Sequence, residues 1–126
     1  MKLLTEEWLT KAEGDLQVAD AQMQGGSPVL DVVCFLCQQA VEKYLKTWLT
    51  EQSIAFPRTH DLEARGKLCQ PSLPEIANFV HDLRYLTTFG VEVRYPGTSA
   101  SVGDAQQALN TGHRVRLLVR SELGIR

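Results

Sequence analysis

No stretch of this 126-residue sequence is apolar for long enough to cross a bilayer, and no alternation of apolar and polar residues lasts long enough to build a sheet. Val91-Glu-Val93 comes nearest to a strand and is too short. There is no internal repeat and no low-complexity tract. The start, Met1-Lys-Leu-Leu-Thr-Glu-Glu-Trp8, turns acidic too soon for a signal peptide. Cysteines number only three, an odd count, and two fall inside an expected helix. That usage suits reduced thiols, so a cytoplasmic protein is expected. The formal charge is -2, which gives no overall pull toward nucleic acid or an anionic membrane. Binding of either kind would have to come from a local patch. What remains is an ordinary globular balance, 44% hydrophobic and 22% charged, at a length that suits one domain over residues 1–126.

The apolar residues recur at helical spacing. Val33, Leu36/Cys37, Ala40, Tyr44 and Trp48 form one stripe, widened by Leu30, Cys34, Val41, Leu45 and Leu49. A helix apolar over so much of its circumference belongs at the centre of a bundle. Its polar strip, Gln38, Gln39, Glu42, Lys43 and Lys46, must then face solvent, a partner or a ligand. Around this helix the other elements follow. Thr5 is expected to cap a first helix carrying Trp8/Leu9, Ala12, Leu16, Ala19 and Met23, which Gly25-Gly26 ends. Pro28 is placed to open the central helix, which runs to about Gln52. Thr59 can cap a short third helix to about Leu68, weakened by Gly66. Ser72-Leu-Pro-Glu75 reads as a capping box for a fourth helix through Ile76, Phe79/Val80, Leu83 and Leu86, ending near Phe89-Gly90. Residues 91–100 read as a loop against the bundle. Ser101-Val-Gly-Asp104 starts a last helix carrying Ala105, Ala108/Leu109, Val115 and Leu118/Val119. The expected fold is all-α, an antiparallel up-and-down bundle of four to five helices.

Three constellations carry possible chemistry. Cys34, Cys37, Cys69 and His60 have the composition of a tetrahedral zinc site. Both helical cysteines lie on an apolar stripe, however, so they read as buried thiols, and no metal or other cofactor is expected. His60-Asp61 can act as a general base and its orienting partner, with Arg58 near. Against that, Asp61 complements a helix N-terminus and His60 packs back on the bundle. Lys43, Lys46, Arg58, Arg84 and Arg94 can converge if the helices pack antiparallel, with Tyr95 offering an aromatic face, a common way to hold a phosphate and a base. The plainer reading is solvated surface with pairs such as Glu42–Lys46 at i, i+4. Arg114, Arg116 and Arg120 are explained by the macrodipole of the last helix.

In order along the chain, Trp8…Lys11-Ala12-Glu13…Asp15-Leu16…Ala19, the block Gln38-Gln-Ala-Val-Glu-Lys-Tyr-Leu-Lys46, then Thr59-His60-Asp61-Leu62, Arg94-Tyr95-Pro96-Gly97 and the final helix at Ala105 and Ala108 resemble the HEPN domain family (higher eukaryote and prokaryote nucleotide-binding). The resemblance implies a homodimeric helical bundle similar to the C-terminal domain of kanamycin nucleotidyltransferase. It implies a partner, a minimal nucleotidyltransferase, often in a toxin–antitoxin-like pair. It also implies a site for a nucleotide, ATP or GTP, or for RNA, drawn from Gln38, Gln39, Glu42, Lys43, Lys46, His60, Asp61, Arg94 and Tyr95. Other branches of the family are metal-independent ribonucleases that use an Arg four to six residues ahead of a His. None of His60, His81 and His113 has such an Arg, and Arg58 is only two residues before His60. A non-catalytic module is therefore expected. The alternatives are a divergent ribonuclease toxin using His60 with Arg58 or Arg94, and a purely structural dimer.

Overall fold

The computed structural model describes residues 1–90 and 96–125. Five α-helices carry the fold: α1 (Leu3–Gln24), α2 (Leu30–Glu51), α3 (Leu62–Cys69), α4 (Val80–Thr87) and α5 (Val102–Glu122). Short 3-10 turns, Pro74–Phe79 and Thr88–Gly90, flank α4, and no strand occurs among the described residues. None of the described helices is long and apolar enough to cross a membrane.

The termini of the helices fix their directions. At the start of α1 the Lys2 backbone N–H and the Thr5 hydroxyl both donate to Glu51 at the end of α2, at 3.1 and 2.9 Å, so α1 and α2 run antiparallel. At the other end the Ala100 backbone N–H donates to Asp31 at 2.7 Å, which seats the start of α5 beside the start of α2. The α3–α4 segment makes the return between them. The up-and-down bundle expected from the sequence is thus the fold observed.

α2 lies at its centre and packs against all the other helices. Val33, Cys34, Cys37, Ala40, Val41, Tyr44, Leu45, Trp48 and Leu49 are buried on it, facing Leu9, Ala12, Leu16 and Ala19 of α1 and Ala105, Ala108, Val115 and Val119 of α5. Each large apolar side chain buried in full is worth about 1.5–3 kcal/mol, which makes this central stripe the main cohesive term. The three thiols lie within that core. Burial pushes Cys34, Cys37 and Cys69 up to about 12, so each stays protonated. Gly66 has a packing role: a Cβ there would stand 2.8 Å from Leu83 Cδ1, so its small size lets α3 and α4 approach.

Several helix starts differ from the sequence expectation. α1 begins two residues before Thr5, whose hydroxyl is spent on Glu51 across the bundle. α2 begins at Leu30 after an uncapped Val29, so Pro28 stands outside it. Asp61, and not Thr59, caps α3 by accepting from the Ala64 N–H at 3.2 Å. The Ser72–Glu75 box does not form. Ser72 instead accepts from the Trp48 indole at 2.9 Å, and the chain from Pro74 winds as a 3-10 turn before α4. The Ser101–Asp104 box is present in both directions.

Candidate functional site

Glu42 and Lys46 are one helical turn apart on α2, and Arg65 projects from α3 toward the same point. The connection between these helices closes the space above them. Two residues past the end of α2, Ser53 lies at φ 58, and the Ser53 and Ile54 N–H groups donate back to Thr50 and Leu49 carbonyls at 3.1 and 2.9 Å. This left-handed residue turns the chain sharply, and residues 54–61 then run back to Asp61, the α3 cap. The result is an open cavity of about 500 Å³ lined by Glu42, Lys46, Phe56, Pro57, Arg58, Thr59, His60 and Arg65.

Glu42, only 4% exposed in its side chain, is the electrostatic centre of this cavity. Its Oε1 lies 3.5 Å from Lys46 Nζ and 3.5 Å from Arg65 Nη2, and its Oε2 lies 3.3 Å from His60 Nδ1. Lys46 also sits over the Trp8 ring, 4.7 Å from its centroid. Arg65 is 1% exposed. Its Nη2 donates to the Thr59 carbonyl at 2.6 Å, and its guanidinium stacks on Phe56 at 5.1 Å. Its Nε and Nη1 are buried without a hydrogen-bond acceptor among the described residues. Burial pulls the Arg65 pKa below its usual value and Glu42 pulls it back up; a guanidinium remains charged at neutral pH in either case. Arg58 is exposed and makes no ion pair among the described residues.

The residues singled out from the sequence divide accordingly. Glu42, Lys46, Arg58 and His60 come together at the cavity. Gln38 supports it from behind: its Nε2 donates to the His60 carbonyl at 3.4 Å, its Oε1 accepts from Gln39 at 2.7 Å, and Gly90 packs on its amide. Asp61 serves as the helix cap, as the plainer reading had it, whereas the His60 ring stays 71% exposed instead of packing back. Two cations do not converge. Lys43 pairs with Asp15 on α1 at 2.6 Å, and Arg84 makes a two-pronged pair with Glu63 at 3.0 and 2.8 Å. Arg94 and Tyr95 lie outside the described residues. Among the described residues no group of three or more His, Cys, Asp or Glu side chains is arranged to hold a metal ion.

Lys43→Ala is accordingly expected to cost under about 1 kcal/mol, the worth of a partly exposed ion pair, and to leave ligand binding in the cavity unchanged. Urea denaturation of the two proteins at low and high salt checks the first part; a loss of several kcal/mol would place Lys43 in a larger network.

Arg65 is the residue that spacing could have revealed. It stands three residues after Leu62 and four before Cys69, both buried, so it falls on the apolar stripe of its own short helix. A lone cation on a buried stripe is itself a sign of a charged site within.

The HEPN domain family model matches residues 5–122. The chain is similar to the crystal structure of ST0689, an archaeal HEPN homologue, with 27% identity and a TM-score of 0.76 over 97% of this chain and 98% of that one. It also shares its fold with TT1696 from Thermus thermophilus, at 19% identity and a TM-score of 0.75 over 94% and 97% of the two chains. No curated protein matches.

Proposed function

The chain belongs to the HEPN domain family, and from that premise we propose that it is a nucleotide-binding module whose site is the cavity between α2, α3 and residues 54–61. Lys46 and Arg58 are the phosphate contacts. Arg65 supplies charge from the floor, and the Phe56 ring offers the apolar wall. The observation that carries this reading is the charge imbalance of the cavity: three cations, Lys46, Arg58 and Arg65, surround one carboxylate, Glu42, in a chain whose net charge is -2. A cavity with surplus positive charge concentrates phosphate-bearing ligands.

The partner follows from the family resemblance: a minimal nucleotidyltransferase, whose nucleotide this domain helps to hold, in a toxin–antitoxin-like pair, with the domain itself a homodimer and not an enzyme. A ribonuclease reading lacks its Arg/His spacing, and the histidines do not converge. His60 is at the cavity, His81 is exposed elsewhere, and His113 is engaged by Asp20 at 2.9 Å.

Thermal unfolding with and without ATP and GTP tests the site. Ligand that binds only the folded state adds about 2.7 kcal/mol at a hundredfold excess over its Kd. The shift is expected in the wild type and strongly reduced in Arg58→Ala, whose exposed side chain can be removed without disturbing the core. No shift with either nucleotide, or a shift indifferent to Arg58, would sink the assignment.

A further inference from the structure

In the cavity the cationic centre is already occupied by an anion, and that anion is part of the chain. Glu42 is the carboxylate on which Lys46, Arg65 and the His60 ring converge, within 3.5 Å in each case. It is held on the central helix and buried, so it cannot swing out to solvent. Any anion that binds at Lys46 and Arg65 must therefore take cations away from a tethered competitor.

We propose that Glu42 is the specificity-determining residue of this site: a built-in counter-anion that keeps singly charged anions out and admits only ligands carrying adjacent phosphates. The inference rests on the nucleotide reading of the cavity and deepens it. A carboxylate-like anion has the same unit charge as Glu42 and lacks its tether, so it gains nothing by competing. A pyrophosphate group brings several charges on one rigid unit. Besides Lys46 it can engage Arg58, which lines the same cavity and which Glu42 does not pair, and so it collects the surplus charge that Glu42 leaves unmatched.

The experiment compares wild type and Glu42→Gln for binding of inorganic pyrophosphate and of acetate at constant ionic strength, by calorimetry and by thermal shift. Glutamine keeps the shape and removes the charge. Pyrophosphate is expected to bind the variant about tenfold more tightly than wild type or better, the equivalent of about 1.4 kcal/mol of relieved competition. Acetate should stabilise the variant and leave wild type unmoved. Equal or weaker pyrophosphate binding by Glu42→Gln would overturn the proposal, since Glu42 would then serve the ligand and not compete with it. Should Glu42→Gln fail to fold, Glu42→Asp is the substitute. Its carboxylate, one methylene shorter, is drawn back from Lys46 and Arg65, so a smaller gain in the same direction is expected, and unchanged affinity overturns the proposal. The comparison also separates this idea from the one beneath it: loss of the nucleotide response in wild type speaks against the nucleotide reading, while the gain on removing Glu42 speaks to Glu42 alone.

Discussion

Arg65→Ala is expected to destabilise the protein by about 3 kcal/mol, among the largest effects of any single substitution outside the apolar core. Breaking a buried ion pair by removing one partner costs about 3–5 kcal/mol because the other charge is left uncompensated. Here the lower figure applies, since Glu42 keeps Lys46 at 3.5 Å. The loss has two further parts. The Thr59 carbonyl loses its donor at 2.6 Å, and the Phe56 ring loses the guanidinium stacked 5.1 Å from its centroid. Both belong to the connection between α2 and α3, so the damage should concentrate there. Urea denaturation gives the total, and amide exchange of residues 54–61 shows the local part. Arg65→Lys is expected to recover little: an ammonium is a point charge without the flat face that lies on Phe56. In the double variant Arg65→Met, Glu42→Gln the loss should be smaller than in Arg65→Met alone, because no buried charge is then stranded. A loss under about 1 kcal/mol in Arg65→Ala would mean that Glu42 finds water, contrary to its burial.

How much of this was visible in the sequence depends on the range of the interaction concerned. The centrality of α2 was legible because its apolar residues cover most of its circumference, and periodicity is a local property. The start of α5 was equally plain, since the Ser101–Asp104 box is closed within four residues. Thr5 and Ser72 misled for the opposite reason. Each is a good capping residue by type, yet each is spent on a partner far along the chain, Glu51 in one case and Trp48 in the other. The cationic cluster fared the same way. Glu42 and Lys46 could be paired by counting four residues, but nothing local says that Lys43 turns to Asp15 while Lys46 turns to the cavity. Nor could spacing along α5 show that Arg116 and Arg120 reach across to Glu13. The dipole explanation for those two arginines gives way to a specific pairing.

That pairing makes Glu13→Ala the second large effect. One carboxylate on α1 joins three helices: its Oε2 accepts from the Tyr44 hydroxyl of α2 at 2.9 Å and from Arg116 Nε of α5 at 2.7 Å, and its Oε1 accepts from Arg120 Nη1 at 2.7 Å. Tyr44 is fully buried, so without Glu13 its hydroxyl loses its acceptor in the core. Two charge-assisted bonds go with it. Discounted for the carboxylate's 27% exposure, the loss should be about 2 kcal/mol at neutral pH. The same geometry sets a pH dependence. Burial by itself raises the Glu13 pKa, but the hydrogen bonds from Arg116, Tyr44 and Arg120 outweigh it, and the carboxyl ends below its ordinary value. A carboxyl with a folded-state pKa below its unfolded one contributes stability that is fully present above the unfolded value, near 4.3, and that fades as pH falls through the folded value. The gap between wild type and Glu13→Ala is therefore expected to be widest at neutral pH and to narrow below about pH 4. Chemical denaturation of both proteins across that range checks the slope. A gap that stays constant down to pH 3 would show that Glu13 acts through packing and not through its charge, and Glu13→Gln, which still accepts from Tyr44 and keeps the volume, would then match wild type.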